Sequence, residues 1–131
     1  MNEPDVIRRW HRIVAGRDLH ALDELLDPEV VFVSPVVHTP QIGRAITRTY
    51  LAAAMTVLNN GTFRYLDQWF AADSAVLEFA TEVDGITING VDMIRWNEQG
   101  RIVHFKVMVR PLKAISLLHR MMAGALQGGQ Q

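Results

Sequence analysis

A chain of 131 residues, 49% of them hydrophobic, is enough for one domain with a real core and too short for two. Thirteen Lys and Arg against fourteen Asp and Glu, with no basic block, leave nothing to neutralise a phosphate backbone, so nucleic acid is excluded as a principal partner. Zero cysteines exclude a disulfide framework and thiolate chemistry.

The N-terminal stretch MNEPDVIRRW lacks the basic-then-apolar pattern of a secretory signal, and no apolar run approaches a membrane span. The expectation is a soluble cytoplasmic protein without a membrane partner. Val6, Ile7, Trp10, Ile13 and Val14 recur at helical spacing after Pro4, which predicts an amphipathic helix over 4–15 ended by Gly16. Asp18 is placed to cap a shorter helix carrying Leu19, Leu22, Leu25 and Leu26, closed by Asp27-Pro28. EVVFVSP, 29–35, reads as a strand stopped by proline, and VVHTPQIG as a loop.

From Arg44 to Leu58 the apolar positions Ile46, Tyr50, Ala53 or Ala54 and Val57 return at steps of three and four, and NNG at 59–61 ends this third helix. Residues 62–72, 74–84, 86–97 and 101–110 read as four strands joined by the turns AADS, DG and NEQG, an antiparallel meander. Pro111 stops the last strand. Leu112, Ile115, Leu118 and Met122 then share one face of a final helix, on which Met121 and Met122 would fill core, cap a cavity or meet a second subunit. The expected domain is 1–126, with QGGQQ, 127–131, a disordered tail. The fold class is α+β: a curved, mainly antiparallel sheet wrapped around the N-terminal helices, with the C-terminal helix added.

One residue stands out in the meander. In GVDMIRW, Gly90, Asp92, Ile94 and Trp96 share one strand face while Val91, Met93 and Arg95 share the other. Both faces are at least half apolar, and an ionised carboxylate there is costly unless it is paired, wetted or neutralised.

The order of elements, with LHALDELLDPEVVFVSP, IGRAITRTYLAA and GVDMIRWNEQGRIVHF, resembles the SnoaL-like group of the nuclear-transport-factor-2-like superfamily, which includes ketosteroid isomerases. The resemblance spans residue 4 to about 111 and implies a cystatin-like α+β cone enclosing a pocket, a scaffold that hosts many reactions as well as inert binding modules. Against ketosteroid isomerases it puts Asp92 at the oxyanion-hole aspartic acid, Trp10 at the hydrogen-bonding tyrosine and Ser34 at the general base. A lone serine hydroxyl cannot abstract a carbon-bound proton and an indole never accepts one, so steroid isomerisation is not what these residues imply.

Against limonene-epoxide hydrolases, Asp84 matches one acid, but Glu82 falls at the arginine and Val107 at the second acid. SnoaL-type polyketide cyclases use a single aspartate, for which Asp92 is the counterpart. By the same resemblance, His38 lies in a loop at the pocket mouth, where an imidazole would serve as acid or base. Phe105, Val107 and Val109 of the last strand, with Phe79, Val83 and Tyr50, would make an apolar pocket wall.

Each residue also has a plainer role. Asp92 could be a structural acid held by Arg95, His38 a solvated loop residue, Trp10 core, and Ser34 a local backbone cap. The histidines show no HxH or HExxH spacing and no glycine-rich strand-to-helix turn occurs, so neither metal nor other cofactor is expected. The sequence therefore reads as a small-molecule enzyme of isomerase or cyclase type, with catalytic candidates Asp92 and His38 and an apolar ligand. The alternative is a non-catalytic binding or assembly module. A homodimer is expected, because helices cover only one of the two apolar sheet faces.

Overall fold

The computed structural model describes residues 2–129. The elements in chain order are α1 (Asp5–Gly16), α2 (Leu19–Leu25), β1 (Leu26–Val33), β2 (Gln41–Ile42), α3 (Arg44–Leu58), β3 (Arg64–Phe70), β4 (Ser74–Val83), β5 (Ile86–Trp96), β6 (Ile102–Arg110) and α4 (Leu112–Gly129). The four meander strands and all four helices lie where periodicity places them.

Four local details differ from expectation. α1 continues through Gly16, and Arg17 adopts the left-handed conformation that ends it, its N–H donating to the Ile13 carbonyl. β1 begins at Leu26 rather than at 29. The loop after it contains β2, two residues that pair antiparallel with Val31 and Phe32. Finally, α4 runs on to Gly129, so residues 127–129 are helical rather than part of a disordered tail, while residues 130 and 131 lie outside the described residues. Asp18 caps α2 as expected, its carboxylate accepting the Ala21 N–H at 3.1 Å.

The six strands form one sheet in the order β2-β1-β6-β5-β4-β3. β1 and β6 run parallel and every other neighbouring pair is antiparallel. Register shifts interrupt β1 between Leu26 and Val31, β3 between Tyr65 and Asp67, and the β5–β6 pairing between Arg95 and Trp96. Such irregularities bend strands and increase twist, which is how this sheet curls around its helices.

The curled sheet holds two apolar clusters. One joins Val6, Ile7, Trp10 and Ile13 of α1 and Leu22 and Leu25 of α2 to Phe32, Leu77, Ile94 and Phe105. The other gathers Ala114, Leu117 and Leu118 of α4 with Val57, Phe79, Val83 and Ile88. Tyr65 and Val107 touch both. The interior between them is not filled.

Candidate active site

Three elements bring polar side chains to one point inside the cone. α1 presents Trp10 from its buried stripe, β3 presents Tyr65 and β5 presents Asp92. The Trp10 Nε1–H donates to the Tyr65 hydroxyl oxygen at 2.9 Å, and the Tyr65 O–H donates to Asp92 Oδ2 at 2.8 Å. Asp92 points inward because Gly90, Asp92 and Ile94 occupy the buried face of β5, whose neighbours at the aspartate are Leu77 on β4 and Val107 on β6. Neither offers a charge.

Gly90 matters one pair further along. A Cβ there would fall 2.6 Å from Cζ of Phe79 and 2.7 Å from the Met108 carbonyl oxygen, so only glycine lets the Phe79 ring lie across β5.

Asp92 is 6% exposed. Burial pushes its carboxyl up from 3.8 to about 7, against the opposing effect of the Tyr65 hydrogen bond, which favours the ionised form. Burial, and secondarily the nearby Asp92 charge, also push the Tyr65 phenol well above its usual range, so it remains a protonated donor. Among the described residues, the second carboxyl oxygen of Asp92, Oδ1, has no protein hydrogen-bond partner.

Asp92 and Tyr65 open on a cavity of about 270 Å³. A cavity of roughly 150 Å³ accommodates benzene, so this one has room for a bicyclic body. Its wall is mostly apolar: Trp10, Phe32, Phe79, Phe105, Val107 and Val109 surround the polar pair, Tyr50, Leu51, Ala54 and Met55 come from α3, and Leu118, His119, Met122, Ala123 and Leu126 come from α4. Among the described residues no three His, Cys, Asp or Glu side chains converge as a metal site, and no helix is long and apolar enough to cross a membrane.

The SnoaL-like domain family matches residues 7–105, from α1 into β6. The chain belongs to that family. It is similar to a steroid delta-isomerase from Pseudomonas aeruginosa, with 38% identity and a TM-score of 0.89 over 95% of this chain and 91% of that one. It is also similar to an uncharacterized conserved bacterial protein with a cystatin-like fold from Silicibacter pomeroyi, with 30% identity and a TM-score of 0.84 over 92% and 84%. An epoxide hydrolase/cyclase-like enzyme of pyran ring formation in the polyether salinomycin shares the fold at 20% identity, with a TM-score of 0.66 over 81% and 88%. Among curated proteins no match is found.

Within this SnoaL-like chain, Trp10, Ser34, Tyr50, Phe79, Asp92, Phe105, Val107 and Val109 all line the cavity. Two expected residues do not. His38 is exposed on the loop after β1 and lies off the cavity wall, because the loop turns at Ser34 and only residues 34–37 reach the mouth. Val83 shares the inward face of β4 with Phe79 but sits two pairs further along, buried in the second cluster instead of facing open space.

Ser34 is committed locally. Its Oγ accepts the backbone N–H groups of Val36 at 3.2 Å and Val37 at 2.8 Å, the plainer role foreseen for it. Asp92 does not pair with Arg95, which points to the opposite face of β5 and is exposed.

The residue that sequence reasoning missed is Tyr65. Its strand was placed correctly, yet nothing local distinguishes it from Phe63 two residues earlier, and the bulge between Tyr65 and Asp67 shifts the alternation that would have assigned it a face. His119 was also missed as a wall residue, because α4 lies beyond the β strands that frame the pocket in the chain order, whereas Met122, for which capping a cavity was one of the roles open from sequence, does line it.

Proposed function

We propose that this protein binds a neutral, largely apolar small molecule carrying one carbonyl group and catalyses proton transfer next to that carbonyl, an isomerase- or cyclase-type reaction with Asp92 as acid/base. The observation that carries this reading is a buried carboxyl, hydrogen-bonded at one oxygen only, that faces an apolar cavity, where burial pushes it up to about 7. A group with that midpoint has both protonation states available at pH 7, the condition under which acid/base exchange is most effective. The ionised form takes a proton from the carbon beside the carbonyl and the electron pair moves to the carbonyl oxygen as an enolate; in isomerisation the protonated carboxyl returns the proton to a different carbon of the conjugated enolate, and in ring closure the enolate carbon bonds to an electrophilic carbon of the same ligand, whose displaced electron pair takes the proton from the carboxyl. The similarity to a steroid delta-isomerase supports the reaction class. Ser34 and Trp10 argue against the steroid reaction itself.

A test uses 2-tetralone, an enolisable bicyclic ketone that matches the size of the cavity. Exchange of its α-hydrogens in D₂O, followed by NMR, is expected to be accelerated by the wild-type protein and to fall at least ~100-fold in Asp92→Asn, the low end of what a positioned acid/base contributes. Binding of the ketone with exchange no faster than in Asp92→Asn would remove the enzymatic reading. It would favour a non-catalytic module for an apolar metabolite, a reading supported by the commitment of Ser34 to its own turn.

A further inference from the structure

The hydrogen bonds around Asp92 have a direction that the residue types impose. An indole nitrogen only donates, so the Tyr65 oxygen must be the acceptor of the 2.9 Å bond from Trp10. The phenol then has one hydrogen to give, and its 2.8 Å partner is Asp92 Oδ2. An oxygen that is accepting this hydrogen is the poorer place for the carboxyl's own proton. Oδ1, which has no protein partner among the described residues, is the better one.

We propose that Trp10 and Tyr65 form a one-way donor relay that confines the exchangeable proton of Asp92 to Oδ1, the oxygen free to meet a ligand. Trp10 and Tyr65 are thus positioning residues, acting through Asp92, and the tryptophan is what makes the relay irreversible. A hydroxyl at residue 10 would be able to accept from Tyr65 as well as donate, and so would allow the chain to reverse. This inference rests on the reading of Asp92 as the acid/base and adds which of its atoms reacts.

The other groups facing this point leave the relay undisturbed. Across the cavity the titratable side chains are Tyr50 of α3 and His119 of α4, and among the described residues no Lys, Arg or Glu lines the wall. From α1, His11 lies edge-on to the Tyr65 ring at 4.8 Å, outside the cavity, with the Glu3 carboxylate 3.9 Å from its Nε2. β4 and β6 contribute Leu77 and Val107 beside the aspartate.

The test is a ¹³C-carboxyl aspartate NMR titration of the whole unliganded protein, with Asp92→Asn assigning the resonance. Tyr65→Phe removes a donor that favours the ionised carboxylate and is expected to raise the Asp92 midpoint by about 1 pH unit. Trp10→Phe leaves Tyr65 in place but weakens it as a donor, for an upward displacement of about 0.3 unit. A midpoint that stays put or falls in Tyr65→Phe overturns the relay, and an unchanged midpoint in Trp10→Phe overturns its first link.

Should either variant fail to fold, the wild-type protein supplies the answer. The Trp10 indole N–H resonance is expected to titrate with the Asp92 midpoint and to lose that titration in Asp92→Asn, whereas an indole that ignores the carboxyl overturns the proposal. Because these readings need no ligand, they are independent of the 2-tetralone result. A relay without exchange activity removes only the catalytic reading, and activity without a relay removes only this inference.

Discussion

At the scale of single residues, Asp92 makes the site an expensive one to build. Its carboxyl holds its proton more tightly in the folded protein than in the unfolded chain, so between pH 3.8 and about 7 the native state binds more protons and its stability falls as pH rises. At ~1.4 kcal/mol per pH unit the ceiling on this cost is roughly 4 kcal/mol. Asp92→Asn, which cannot ionise, is therefore expected to stabilise the protein by about 1–3 kcal/mol at pH 8 and to change it little at pH 4. Thermal unfolding at the two pH values measures the difference. A substitution that lowers the melting temperature at pH 8 but not at pH 4 would mean that the native carboxylate is ionised and stabilised by a partner.

At the scale of elements, α4 is the piece that completes the wall of the cone. Ala114, Leu117 and Leu118 are buried against Val57, Phe79 and Ile88, and the next two turns lay His119, Met122, Ala123 and Leu126 along the cavity. Of the roles open to this helix from its sequence, core packing and capping are realised together by one apolar stripe. Leu118 is 4% exposed and serves both. Leu118→Ala is expected to cost about 2–4 kcal/mol in chemical denaturation, as for other buried leucines. A loss below ~1 kcal/mol would show that α4 is not docked on the cone in solution.

At the scale of the whole molecule, no element among the described residues covers the outer face of the sheet. α4 lies on the inner side, so it leaves the paired row Trp69, Val76, Met93 and Lys106 open, with Met108 and Leu66 nearby. Trp69 is 53% and Leu66 50% exposed, an unusual concentration of large apolar side chains on one surface. The homodimer expected from sequence would bury this face against a second copy. Sedimentation velocity at micromolar concentration is expected to give a dimer for the wild type and a monomer for Trp69→Arg combined with Met93→Arg. A monomeric wild type would rule the dimer out.

What the sequence determined by itself was the list of elements, β2 apart, and the apolar faces of the helices. Helical spacing, β-branched runs and turn residues are local signals, and they located α1 to α4, the four-strand meander and an acid at 92 on a largely apolar strand face. Residue-by-residue resemblance added Trp10, Ser34 and the kind of pocket. Tertiary structure decided who meets whom. Tyr65 became the partner of both Trp10 and Asp92 only because β3 and α1 converge across 55 residues of chain, and a bulge set the direction of its side chain. His38 left the site because the loop after β1 turns at Ser34 before reaching it, and Val83 moved into the core because alternation gives a side chain its face, but the curl of the sheet fixes how far along the cone that face opens onto empty space.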